Sequence, residues 1–207
     1  MMRLVVLISG HGSNLQAIID ACNQGLIKAQ VVLVISNQAD AYGLTRARQH
    51  KITCQVIDVA AGQNRHDYDC ILAHHVAAAN PDWIILAGFM RILSAEFIKR
   101  FPTKIVNLHP ALPGTFAGTK AIKRALTAFA HQQISETGVM IHQVIDESVD
   151  LGPVLAQKKV AIYPSDTLRS LTKRMHQAEH GLIVSVLQQL EATPCLTPYC
   201  QSTTKAD

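Results

Sequence analysis

Short apolar runs alternate along this chain with segments of helical period, and that alternation restricts the fold more than any other feature. RLVVLIS is followed by NLQAIIDACNQG, VVLVIS by AYGLTRARQH, TCQVIDV by RHDYDCILAHHVAAAN and WIILAG by SAEFIKRF, with IVNLH as the fifth run. A strand that feeds a helix and then a parallel neighbour makes a right-handed crossover, so the series predicts an α/β protein. The expected form is a doubly wound, mostly parallel, Rossmann-like sheet with helices on both faces. After IVNLH the texture changes: VMIHQVI and PVLAQKKVAI are β-like runs joined by the polar DESVDLG, which predicts a late antiparallel strand element. SDTLRSLTKRMHQAEHGLIVSVLQQLEA predicts a long closing helix with Ser165 or Asp166 as N-cap. The stretch TPCLTPYCQSTTKAD has turn residues without periodicity and reads as a loose tail. The expected organisation is a single domain over 1–207: a phosphate- or nucleotide-binding half at 1–110, a completing half at 111–192, and the tail at 193–207.

Several classes of function are disfavoured. The formal charge of +4 is spread along the chain without a Lys/Arg stripe, which argues against nucleic acid and for an anionic small molecule. No apolar run approaches the roughly 18–20 residues of a membrane helix. The opening MMRLVVLISGHGSN passes into Gly and polar residues too early for a signal peptide. Cys22, Cys54, Cys70, Cys195 and Cys200 are odd in number and unpaired in spacing, which suggests neither a zinc ribbon nor a disulfide framework. A cytoplasmic location follows as the expectation.

GHGSN follows the first strand and opens a helix, where free N–H groups and the positive helix end suit an anion; the same residues also suit a tight βα turn with Ser13 or Asn14 as N-cap. The dinucleotide fingerprint fails, because Leu15 takes the last glycine position and the second strand ends in Ser36 and Asn37 rather than an acid. A P-loop lysine is missing as well. AGFMRIL ends the fourth strand on the same rim; Phe89, Met90, Ile92 and Leu93 suit plain core equally, while Arg91 among them needs an acceptor. Asn107 and His109, at i and i+2 of a strand, share a face, as an oxyanion donor and a general acid require. His142 precedes a loop carrying Asp146, Glu147 and Asp150, any of which can orient an imidazole or simply face solvent. HQAEH, residues 176 to 180, matches an inverted zinc-protease pattern, but such a short match arises easily by chance and no metal is expected.

Taken in order, VVLISGHGSNLQAIIDA, LAGFMRILS, NLHPALPGTF, TGVMIHQVIDESVDLGPVLAQ and QAEH resemble the 10-formyltetrahydrofolate-dependent formyltransferases over nearly the whole chain. The GHGSN turn and the lack of a second domain resemble the purine-biosynthetic branch that formylates glycinamide ribonucleotide. The resemblance implies that Asn107, His109 and Asp150 are catalytic, with Asp150 raising the histidine's pKa. It implies that Gly12, Ser13, Asn14, Pro110 and Glu179 bind the phosphoribosyl substrate. Arg65, Met90, Arg91, Ile92 and Leu93, with Asn107 and the 145–150 loop, are implied on the folate side. The implied partners are small molecules alone, with 10-formyltetrahydrofolate as co-substrate and no nucleic acid or membrane; monomer and homodimer both remain compatible. The sequence departs from the family wording at His11, at Pro113-Gly114 with Ala117, and in a longer spacing from His142 to Asp150, which leaves Asp146 as the alternative carboxylate. The chemistry expected is attack by a neutral amine on the formyl carbon. The oxyanion would be held by the Asn107 amide and a protonated His109 whose desolvation is more than offset by Asp150. Rival readings are a formyltetrahydrofolate hydrolase, a transfer-RNA formyltransferase and a non-enzymatic nucleotide-binding module.

Overall fold

The computed structural model describes residues 1–58 and 62–192. The elements run β1 (Met2–Ile8), α1 (Ser13–Asn23), β2 (Ala29–Ser36), α2 (Tyr42–Gln49), β3 (Cys54–Val56), α3 (Arg65–Ala78), β4 (Trp83–Leu86) and α4 (Ala95–Arg100). They continue with β5 (Ile105–His109), α5 (Ala121–Ala130), β6 (Glu136–Gln143), β7 (Val154–Ala161) and α6 (Leu168–Ala192). The strands form a seven-stranded sheet in the order β3-β2-β1-β4-β5-β6-β7. β1 to β5 are mutually parallel, while β6 runs antiparallel to β5 and β7 to β6.

β1 shows why an unbroken apolar run becomes a central strand. Side chains alternate across the sheet, so Leu4, Val6 and Ile8 point one way and Val5 and Leu7 the other, and all five are fully buried. The first set packs with Leu15 and Ile18 of α1 and Leu171 and Ile183 of α6. The second packs with Tyr68 and Leu72 of α3 and Phe97 of α4. Each such side chain contributes about 1.5–3 kcal/mol by leaving water. After β3 the chain crosses to the other side of β1 to form β4, so the connections leaving β1 and β4 diverge. A crevice opens at the carboxyl ends of those two strands, where open α/β sheets bind ligands.

Two local expectations are corrected. No helix is foreseen between IVNLH and VMIHQVI, yet α5 lies there, with Ala121, Ala125 and Ala128 turned inward. The long closing helix starts after Thr167, whose hydroxyl accepts the Ser170 N–H at 3.2 Å, an N-cap bond. Neither Ser165 nor Asp166 takes that role; the Asp166 carboxylate instead accepts from Tyr163 N–H and from Arg174. Among the described residues Cys22, Cys54 and Cys70 are free thiols, and no helix is long and apolar enough to cross a membrane. The expected loose tail, with Cys195 and Cys200, lies outside the described residues.

Candidate functional site

The crevice is a cavity of about 670 Å³ whose wall takes in Gly12, Ser13 and Asn14 at one end and Met90, Arg91, Ile92 and Leu93 at the other. Asn107, His109, Pro110 and Asp150 lie between them, and Glu179 of α6 closes the Gly12 end.

At that end the backbone, not a side chain, makes the turn. Gly12 is the N-cap of α1 in a left-handed conformation, φ 71°, with no side-chain cap and no acid in the first turn. A Cβ on Gly12 would stand 2.6 Å from Gly43 Cα, so both the torsion and the packing against α2 demand glycine. Ser13 and Asn14 therefore sit inside the helix and cap nothing, and the first-turn N–H groups are left for an anion. Asn14 is buried; its Nδ2 donates to Glu179 Oε2 at 2.8 Å, while its Oδ1 has no partner among the described residues. Burial raises the Glu179 carboxyl above the ordinary glutamate range, against the Asn14 hydrogen bond and then the His176 charge, which lower it. The HQAEH pattern is thus divided: Glu179 turns to Asn14, while the His176 and His180 rings stack on each other at 6.3 Å. Among the described residues no group of three or more His, Cys, Asp or Glu is placed to hold a metal ion.

The centre of the site is built on β5 and completed by the β6–β7 loop. Asp150 adopts φ 58° and accepts from the Gly118 N–H at 2.8 Å and from Asn107 Nδ2 at 3.0 Å. His109 Nδ1 faces Asp150 Oδ2 at 3.1 Å, and His142 Nε2 stands 3.5 Å from Oδ1. Asp146 accepts the Ser148 N–H inside its own loop, so Asp150 is the carboxylate that meets the histidine. The second His109 nitrogen, Nε2, lies 3.2 Å from the Phe116 carbonyl. Both ring nitrogens face acceptors, an arrangement that suits the imidazolium. Burial nevertheless dominates and pulls the His109 pKa below the ordinary histidine value. The Asp150 charge and the Phe116 hydrogen bond oppose that shift without cancelling it, which corrects the expectation that Asp150 more than offsets desolvation. The Asp150 carboxyl itself is raised by burial but brought below its ordinary range by the neighbouring His142, the Gly118 N–H and the His109 charge.

The amide of Asn107 is engaged in a way its sequence position does not disclose. His142 Nδ1 lies 3.0 Å from the Gln143 carbonyl, which can only accept, so Nδ1 carries the proton. His142 Nε2 is then the acceptor for Asn107 Nδ2 at 3.0 Å. With one amide hydrogen on His142 and the other on Asp150, Asn107 has its Oδ1 acceptor, not a donor, left to offer.

On the far wall, Met90 and Ile92 present exposed apolar surface, whereas Leu93 is buried and belongs to the core. The acceptor that Arg91 needs is the Tyr68 ring, 4.1 Å from the guanidinium carbon, with buried Asp69 nearby. Arg65, by contrast, is not part of the cavity wall. It starts α3 and donates to the Glu147 carboxylate, which does line the cavity. The structure also brings in His142, His176 and Glu147. His142 and Glu147 were legible around the acidic loop and His176 within HQAEH, but the sequence gives none of them an individual role.

The family described as formyl transferase matches residues 2–187. The chain is 43% identical over 201 residues to the phosphoribosylglycinamide formyltransferase of Dictyostelium discoideum, a match covering 91% of this chain and 97% of that protein. It is 42% identical over 186 residues to the enzyme of the same name in Escherichia coli (strain K12), with 90% and 85% covered. The crystal structure of glycinamide ribonucleotide transformylase 1 from Symbiobacterium toebii superposes with a TM-score of 0.87 at 37% identity, covering 93% of this chain and 88% of that one.

Proposed function

The chain belongs to the formyl transferase family, and from that premise we infer that it formylates 5'-phosphoribosylglycinamide in purine synthesis, with a folate-type formyl donor. We propose 10-formyltetrahydrofolate as that donor. The observation that carries the site assignment is Asp150 bonded at once to His109 and Asn107, midway between an uncapped helix start and an apolar wall backed by Arg91. The phosphate of the acceptor would take the first-turn N–H groups at Gly12, Ser13 and Asn14. Asn14 Oδ1 and Glu179 supply acceptors for ribose hydroxyls, and Pro110 shapes the wall between phosphate and amine. Met90 and Ile92 would face the folate ring system, with Leu93 packed behind them in the core.

The amine of a glycinamide has an ordinary pKa of about 8, so a useful fraction is neutral at physiological pH without a dedicated base. Asn107 Oδ1 is available to accept one amine hydrogen and aim the nitrogen lone pair at the formyl carbon. The new N–C bond makes a tetrahedral oxyanion, and the His109 imidazolium meets that charge once the Phe116 carbonyl gives up Nε2. As the bond from the formyl carbon to the folate nitrogen breaks, the proton lost by the amine is gained by the departing nitrogen. The enzyme ends with the protons it began with. Holding both substrates in one cavity accounts for much of the remaining acceleration.

The test is direct. Incubated with glycinamide ribonucleotide and 10-formyltetrahydrofolate, the protein should release tetrahydrofolate in step with formylated product. Formate release without an amine would mark a hydrolase instead. His109→Ala should lower turnover by about 100-fold or more with substrate affinities nearly intact, and a near-normal rate would remove His109 from the chemistry.

A further inference from the structure

We propose that Glu147 is a built-in competitor for the carboxylate of the formyl donor, and so determines how strongly the site selects donors that carry a glutamate tail. The inference rests on the folate reading above. A folate donor ends in a carboxylate-bearing tail, and the donor side of the cavity offers two guanidinium groups, Arg91 in the wall and Arg65 at its rim. Their present partners differ in kind. Arg91 lies on the Tyr68 ring, and its Nε has no hydrogen-bond partner among the described residues. Asp69 is close enough for its carboxyl to be influenced by both arginines, but it is buried and held by the Ser94 N–H, so it cannot move aside or follow a ligand. Arg65 is bound by Glu147, whose side chain is 41% exposed and lines the cavity. The Asp146–Ser148 hydrogen bond turns the loop around Glu147 and presents that side chain toward Arg65.

A donor carboxylate arriving at this rim finds Arg65 already paired. It gains the arginine by displacing Glu147 into water, so one exposed ion pair is exchanged for another and the tail adds less affinity than its charge suggests. A donor without the tail involves no exchange. Removing the Glu147 charge while keeping its shape therefore favours only the carboxylate-bearing donor.

The experiment measures KM for two donors, 10-formyltetrahydrofolate and a 10-formyltetrahydropteroyl amide in which a neutral carboxamide replaces the glutamate, with the full chain as wild type, Glu147→Gln, Arg65→Gln and the double variant. Glu147→Gln should lower KM for the glutamate-bearing donor by about two- to fivefold, the scale of an exposed ion pair, and leave the truncated donor unmoved. In the Arg65→Gln background the gain should vanish. An unchanged or higher KM, or equal shifts for both donors, would overturn the proposal and make Glu147 a brace for the loop that carries Asp150. Wild-type protein that transfers formyl from neither donor would instead overturn the folate reading beneath it.

Discussion

Asp150→Asn separates charge from shape at the centre of the site. Asparagine tolerates the left-handed conformation at φ 58° nearly as well as aspartate, so the loop keeps its path. Asn Oδ1 can still accept from the Gly118 N–H, now 2.8 Å from the carboxylate, but nothing negative then faces His109 Nδ1. An opposite charge at this range shifts a pKa by about 1–3 units. His109 and Asp150 are both buried, with side chains only 5% and 8% exposed, so solvent screens that charge little. The His109 pKa already lies below the ordinary histidine value because burial outweighs Asp150, and removing the opposing charge lowers it further. The reactive form is the protonated one, so activity is present below the His109 pKa and fades as pH rises through it. On that alkaline limb each tenfold loss of imidazolium is equivalent to about 1.4 kcal/mol of barrier. Tetrahydrofolate release at saturating substrates, followed from about pH 5.5 to 8.5, should show Asp150→Asn slower by at least about tenfold near pH 7.5. Its alkaline limb should move to lower pH. A rate within about threefold of wild type, or an unmoved limb, would refute the claim that Asp150 sustains the charge on His109.

Three further substitutions test other parts of the structure. Gly12→Ala places a Cβ 2.6 Å from Gly43 Cα at φ 71°, so KM for the phosphoribosyl acceptor should rise more than about tenfold while KM for the donor holds; an unchanged acceptor KM would take the phosphate off this loop. Glu179→Ala removes the acceptor of Asn14 Nδ2, and acceptor KM should rise about tenfold, the worth of one hydrogen bond to a charged group; equal losses for both substrates would mark a structural defect. Asp166 is held well below the usual carboxylate range, chiefly by Arg174, whose guanidinium donates to it twice at 2.8 Å. Its stabilisation is present above the unfolded aspartate value and is lost as pH falls through the lower folded one. Asp166→Asn should therefore melt a few degrees lower at pH 7, about 1 kcal/mol, with the gap narrowing below about pH 4. A gap independent of pH would mean that Asp166 acts through shape.

What the linear chain discloses follows from how local each cause is. RLVVLIS is readable as a central strand because a strand covered on both faces has no polar position to interrupt it, and Leu4 through Ile8 are all buried. The helix α5 escapes notice because it follows a Pro- and Gly-rich loop and starts at Lys120 in a left-handed conformation with no side-chain cap, so no start signal marks it. The shared face of Asn107 and His109 is a matter of strand period and is legible for that reason. What each does there is not, because it depends on partners brought in by other elements. Antiparallel pairing sets His142 opposite Asn107, and that register occupies one of the amide's donors. The protonation of His109 is decided in the same way, by a competition whose terms lie far apart in the chain. The enclosure that brings Asp150 to 3.1 Å also strips water from the imidazole, and the Phe116 carbonyl covers the other nitrogen. Burial strengthens the attraction and raises the cost of the charge together, so the sign of the shift rests on distances no motif encodes. A substrate oxyanion meeting Nε2 would add negative charge to the Asp150 side of that balance, so the imidazolium should be most stable at the moment the reaction calls on it.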